Sequence, residues 1–313
     1  VSSDRTLRLG TRGSDLALWQ ANRISQMIGQ KLGTECTIEI VKTRGDKVQN
    51  LAFRKMEGKG FFTKELQDAL LEERVDLVVH SLKDLPTDEP EGLEIAAIPE
   101  RAEPADLLLA RRGLVKPDHA DPLGLPDGAV LGTSSLRRAA QALALSPEIN
   151  IRALRGNVPT RVRKLRDGDY DAILLAAAGV RRLELDVGDL ECLELAPEAI
   201  LPAPGQGALA VETRAGDPVA TSLKSLHDAR IARCVDSERR LLELLGGGCH
   251  LPLGCLATED HTGIRLQAVL GDVDEEVTRA TVSRVASLAQ NPESAARVCF
   301  EALRLAMPEA AAQ

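Results

Sequence analysis

Short apolar runs alternating with helical patterns occur twice along this chain, and a βαβα rhythm of that kind commits each stretch to a sheet covered by helices. In the first stretch the spacing predicts a strand at 7–10, a helix over 15–32 with Ser14 as N-cap, a β-rich run at 36–42, a helix over 61–73 and an apolar strand at 75–80. Between them 48–60, polar and glycine-bearing, reads as a mobile loop. Pro- and Asp-rich stretches around 100–106 and 116–127 break the pattern. It restarts with strands at 129–132, 149–154 and 172–175 and helices over 135–145, 158–166 and 179–183. The segment 201–207 (LPAPGQG) leads into a run at 208–212 too short to stand alone, which is expected to cross back to a neighbouring sheet, so that two strands of chain join the lobes as a hinge. From about 229 the rhythm changes to a long helix to 245, three β-like runs near 253–258, 264–271 and 277–283, and a final helix over 292–306. Consecutive strands with short turns make an antiparallel sheet. The expected fold class is therefore α/β, with two hinged lobes and a small α+β C-terminal domain built on a three-stranded antiparallel sheet. The expected domains are 1–104 with 208–226, 105–207, and 227–313.

Composition narrows the function. A net charge of -8 over 313 residues argues against broad nucleic-acid binding, and with four Phe, one Trp and one Tyr there are few platforms for stacking bases. No apolar run approaches the roughly 20 residues that span a bilayer, and the N-terminal residues have no signal-peptide core, so a cytoplasmic protein without membrane contact is expected. Because residue 1 is Val, a trimmed transit peptide and a plastid location stay open. The six cysteines form no C-x-x-C pair, which disfavours structural zinc and a disulfide framework. Arginines number 29 against 10 lysines. A GC-rich genome produces such a ratio, and so does a site that grips carboxylates or phosphates, so position decides.

Gly132-Thr133-Ser134-Ser135-Leu136-Arg137-Arg138 takes a strand into a helix through hydroxyl-bearing residues. Helix-start N–H groups, hydroxyls and two arginines suit an anion; ordinary N-capping with a solvated first turn is the other reading. Arg155 ends the next strand, Arg161 sits one turn into its helix, and Arg181 and Arg182 follow the third strand. Carboxyl ends of parallel strands face one crevice in an open α/β lobe, so these arginines imply a ligand with several anionic groups. The first lobe adds Arg12 and the run Val79-His80-Ser81-Leu82-Lys83-Asp84-Leu85-Pro86. Lys83 and Asp84 read either as a surface ion pair or, at a cationic crevice, as the setting of one carboxylate that stabilises positive charge or moves a proton. His80 reads as a satisfied half-buried residue rather than a base. Gly58-Lys59-Gly60 lacks the P-loop frame. Cys249, after Gly246-Gly247-Gly248, is either a small buried hydrophobe or a covalent attachment point, the glycines allowing close backbone approach. His250 is a poor partner for it, since strand neighbours point to opposite faces. A non-catalytic two-lobed binding protein for a small polycarboxylate, and a cysteine-dependent transferase, are the competing readings.

Eight motifs occur in fixed order: TRGS at 11–14, KTRGD at 42–46, GKG at 58–60, VHSLKDLP at 79–86, GTSSLRR at 132–138, LRGNV at 154–158, LPAPGQG at 201–207 and GGC at 247–249. Over almost the whole chain they resemble the porphobilinogen deaminase (hydroxymethylbilane synthase) family. The resemblance implies two lobes like those of type II periplasmic binding proteins, and a monomeric transferase that condenses four porphobilinogen molecules with loss of ammonia and hydrolytically releases linear hydroxymethylbilane. It implies that Cys249 holds a dipyrromethane cofactor by a thioether and that Asp84 stabilises cationic intermediates and assists proton transfer. Arg12, Ser81, Lys83, Thr133, Ser135, Arg137, Arg138, Arg155, Gly156, Arg161, Arg182 and Gln206 are implied as binding residues, with Lys55 and Lys59 on a lid and no metal. Asp15, Glu57 and Pro159 depart from the family pattern, and Glu57 is expected to alter lid mobility.

Overall fold

A computed structural model describes residues 6–42, 63–88, 90–116, 122–248 and 251–306. The chain divides into two compact units, 1–102 with 207–232, and 103–206 with 233–313.

In the first unit, β1 (Leu7–Thr11), α1 (Asp15–Leu32), β2 (Cys36–Ile40), α2 (Lys64–Leu71), β3 (Leu77–Ser81) and β4 (Leu93–Ala97) follow in order. The chain returns much later as β10 (Leu209–Arg214) and α6 (Pro218–Leu223). The sheet order is β2-β1-β3-β10-β4, with β1 parallel to β2 and β3, and β10 antiparallel to β3 and β4. The short run after LPAPGQG thus enters the first sheet. Both faces are covered, which is why β3 reads as an unbroken apolar run: Leu77 and Val79 pack toward Ile24 and Ile28 of α1, while Val78 joins Leu66 and Leu70 of α2. Ser14 caps α1 by accepting from the Ala17 N–H at 3.4 Å, and Asp15 places a negative charge in its first turn.

The second unit holds β5 (Asp106–Arg111), β6 (Val130–Gly132), α3 (Leu136–Leu145), β7 (Asn150–Arg152), α4 (Val158–Arg166), β8 (Ala172–Ala176), α5 (Ala177–Arg182) and β9 (Leu190–Leu195). Its sheet, β7-β6-β8-β5-β9, repeats the scheme of three parallel strands followed by antiparallel ones. Asn157 caps α4 through a 3.0 Å bond from the Thr160 N–H, and Pro159 occupies the first turn, where a missing N–H costs nothing. The strands β4, β5 and β9 and the helix α6 are absent from the sequence-based expectation.

After α7 (Ala229–Leu244), the C-terminal part forms β11 (Leu253–Asp260), β12 (Gly263–Val273) and β13 (Ala280–Ala289), an antiparallel sheet in that order, and α8 (Pro292–Ala306). The third strand lies later than the run at 277–283. One face of β12 (Ile264, Leu266, Ala268, Leu270) joins Ala295, Ala296, Cys299 and Leu303 of α8 in a core. α3 also packs on β12 and β13. A Cβ on Gly271 would stand 2.4 Å from Ala140 Cβ, and one on Gly254 would stand 2.8 Å from the Leu201 carbonyl oxygen. We expect Gly271→Val to destabilise the fold by about 1–3 kcal/mol, an overpacking cost read as a lower midpoint in chemical denaturation.

Candidate functional site

In the first unit the candidate residues gather where the parallel strands β1 and β3 end at one edge of the sheet. Thr11 is fully buried and donates to the Ala17 carbonyl at 3.1 Å, fixing the bend that presents half-buried Arg12. Ser81 accepts a 2.8 Å bond from Gln20 Nε2. After Ser81 the chain makes one 3₁₀ turn over Leu82–Asp84, pinned by buried Leu82 and Leu85 and by the Leu82 N–H donating to the Ala208 carbonyl at 3.0 Å. The turn leaves Lys83 half-buried and Asp84 exposed. His80 is buried, its Nε2 2.9 Å from Glu212 Oε2, and Gln67 Nε2 donates to the other oxygen at 2.9 Å. That engagement makes it a satisfied core residue.

In the second unit β6, β7 and β8 are parallel and end on a common edge. Ser134 Oγ donates to the Leu154 carbonyl at 2.9 Å and accepts from the Leu154 N–H at 3.1 Å, tying the loops after β6 and β7 together. Thr133 Oγ1 accepts from the Ser135 N–H at 3.1 Å, and Ser135 stands at the N-cap of α3 without a side-chain capping bond. Half-buried Arg161 reaches back from α4 to the Gly156 carbonyl at 2.7 Å, holding the loop that carries half-buried Arg155 and exposed Gly156. Arg182 is buried in the last turn of α5, whereas exposed Arg181 pairs with Glu194.

Arg137 and Arg138 open α3 but are 5% and 6% exposed, not solvated as the plain helix-start reading would have them. Both reach Asp106, the fully buried first residue of β5: Arg137 Nη1 lies 2.6 Å and Arg138 Nη2 2.7 Å from its oxygens. Arg137 also donates to the Leu201 carbonyl at 2.7 Å and Arg138 to that of Leu174 at 3.1 Å. Gln206, buried in the crossing segment, donates to Asp106 Oδ1 at 2.8 Å and to the Pro104 carbonyl at 2.6 Å. Burial alone would raise the Asp106 pKa, but the two guanidiniums outweigh it and hold the carboxyl well below the usual range. Burial pulls the Arg137 pKa down, opposed chiefly by the Asp106 charge. Asp106 escaped sequence reasoning because an Asp opening the apolar run DLLLA looks like the edge of a turn; an acidic residue directly before a buried strand was the available signal.

Cys249, His250, Lys55, Glu57, Lys59 and the first two residues of the helix expected over 61–73 lie outside the described residues. The glycines before Cys249 have a local task. Gly246, at φ 72°, ends α7, and the Gly247 N–H donates to the Leu242 carbonyl at 2.8 Å where a Cβ would meet that oxygen at 2.2 Å. Upstream of them, Glu238 of α7, fully buried, accepts from the Ala257 N–H at 2.8 Å and the Gly205 N–H at 2.7 Å, locking the return strand after the cysteine loop to the crossing segment. An open depression of about 670 Å³ along α1, lined by Trp19, Asn22, Arg23, Gln26 and Glu100, contains none of the candidate residues. Among the described residues no group of three His, Cys, Asp or Glu side chains is placed to hold a metal, and no helix is long and apolar enough to cross a membrane.

Two family models match: the porphobilinogen deaminase dipyromethane cofactor binding domain over residues 7–222 and the porphobilinogen deaminase C-terminal domain over 232–303. The chain is 44% identical over 273 residues to a porphobilinogen deaminase of Oceanobacillus iheyensis, covering 86% of each. It is 41% identical over 301 residues to one of Thiobacillus denitrificans, covering 95% of each. Among solved structures, the periplasmic VFT2 domain of Bordetella pertussis BvgS is similar with a TM-score of 0.44 and 12% identity, over 71% of this chain and 86% of that one.

Proposed function

The chain belongs to the porphobilinogen deaminase family, and from that premise we propose that it condenses four porphobilinogen molecules with loss of ammonia and releases linear hydroxymethylbilane, Asp84 and the arginines at the strand ends doing the work. The family match disfavours the non-catalytic binding protein. A dipyrromethane bears carboxylate arms, and the residues fit such a group: Arg138 Nε is buried with no hydrogen-bond partner, a donor suited to one of those carboxylates. Cys249 would hold the cofactor through a thioether, and when bound the group supplies the primer from which the pyrrole chain is extended.

This chain's own residues then bind, orient and stabilise. Each porphobilinogen brings two carboxylates, and Arg12, Lys83, Arg137, Arg138, Arg155, Arg161 and Arg182 meet them, with Ser81, Thr133, Ser135, Gly156 and Gln206 shaping the loops that carry them. As ammonia leaves the aminomethyl carbon, positive charge builds on the substrate. Asp84 is a fixed carboxylate for that charge and for the pyrrole N–H, and it accepts the proton released when the new carbon–carbon bond forms. The observation that supports this role is the placement of Asp84: exposed, yet on a turn held by two buried leucines. In the same reading Lys55 and Lys59 belong to a lid, residues 227–313 form a domain that carries the cysteine loop, and the enzyme works as a cytoplasmic monomer.

The intact mass of the denatured protein tests the proposal. A surplus of two linked pyrrole units, mapped to the peptide with Cys249, is the expected result. A protein that stays unmodified after incubation with porphobilinogen overturns it.

A further inference from the structure

Two separate segments spend donors on the single carboxylate of Asp106, which opens β5: the start of α3 through Arg137 and Arg138, and the crossing segment through Gln206. The charges do not cancel. One carboxylate between two guanidiniums leaves one positive charge in excess, and the remaining bonds of both arginines run to neutral carbonyls. A buried charge without a counter-ion is costly, so the cluster is one anion short of balance. The Arg138 Nε–H, buried and without a hydrogen-bond partner, is the donor left for that anion.

We infer that Asp106 is a positioning residue for the reaction: it anchors Arg137 and Arg138 against their mutual repulsion and leaves the excess charge, with Arg138 Nε–H as donor, for one carboxylate arm of the bound pyrrole chain. The inference rests on the reading above, in which these arginines meet carboxylates. Asp106 touches no substrate and acts through Arg137 and Arg138. Two carboxylates in its place would neutralise the pair and remove its attraction for a ligand; none would leave two like charges in a dry site with nothing to fix their geometry.

The test uses full-length protein produced in cells unable to make porphobilinogen, as wild type, Asp106→Asn and Asp106→Glu. After porphobilinogen is added, covalent loading is followed by intact mass, thermal unfolding is recorded in parallel, and kcat and KM are measured on the loaded fraction. Expected for Asp106→Asn is loading at least tenfold slower and a KM at least tenfold higher with kcat within threefold, both partly recovered by Asp106→Glu, which keeps the charge. A network that only glues β5 to α3 would lower the unfolding midpoint and leave KM and loading alone. Folded Asp106→Asn with wild-type loading and KM overturns the inference. Should Asp106→Asn not unfold cooperatively, Asp106→Glu decides: its carboxylate is displaced by one methylene, so slowed loading with raised KM supports positioning and wild-type values overturn it. A wild type that gains no mass would instead sink the proposed function, and this inference with it.

Discussion

Asp84→Asn is expected to lower kcat by about 10²–10⁴-fold, the range spanned by loss of a positioned proton-transfer group, while the denatured protein keeps the mass of the two-pyrrole cofactor. The substitution is nearly isosteric, and the side chain is exposed on a turn whose anchors are Leu82 and Leu85, so stability should shift by no more than about 0.5 kcal/mol. An amide still accepts a hydrogen bond from a pyrrole N–H. It cannot balance positive charge or take up a proton, so the loss falls on turnover and KM changes little. Single-turnover kinetics with mass detection would show substrate bound and the first condensation stalled; a variant that turns over at the wild-type rate removes Asp84 from the mechanism.

The second large effect is expected at Cys249. Cys249→Ser removes the thioether, so the denatured protein should show the bare polypeptide mass whatever porphobilinogen it has met, and sustained turnover should fall below detection. A tethered anionic group engages the arginines only in the folded state, so losing it should also lower the thermal midpoint, as removal of any native-state ligand does. A Cys249→Ser protein that still carries the two-pyrrole surplus would place the attachment elsewhere.

What could be read in the sequence was local. Ser14 ahead of α1 and the buried runs of β1, β3, β6 and β8 carry their signal within a few residues. The strands that escaped, β4, β5 and β9, take their neighbours in the sheet by antiparallel pairing with distant segments. Glu191 and Glu194 flank Cys192 and Leu193 on β9, whose exposed middle has no apolar face to announce it. The same divide runs through the site. The hydroxyls and arginines of GTSSLRR could be placed at a helix start, but their burial against a carboxylate could not, because Asp106 lies 31 and 32 residues before Arg137 and Arg138 and 100 before Gln206. Likewise the glycines before Cys249 suggest room for a ligand, whereas two of them are spent on ending α7.

The return of β10 bears on how the chain is made. In the first sheet β10 lies between β3 and β4, so the two strands closest to it in space are synthesised more than a hundred residues before it. Until residue 214 has been added, β3 and β4 have no strand between them, and the apolar β3 keeps an unpaired edge of the kind that recruits other chains. Every strand of the second unit's five-stranded sheet, by contrast, lies within residues 106–195. Vectorial synthesis therefore completes the inserted sheet before the one that precedes it, reversing the usual N-terminal-first order. The Ala102 N–H to Gly207 carbonyl bond, 3.0 Å, then closes the chain's outward and homeward legs side by side, making the last-arriving strand the one that seals the first-made edge.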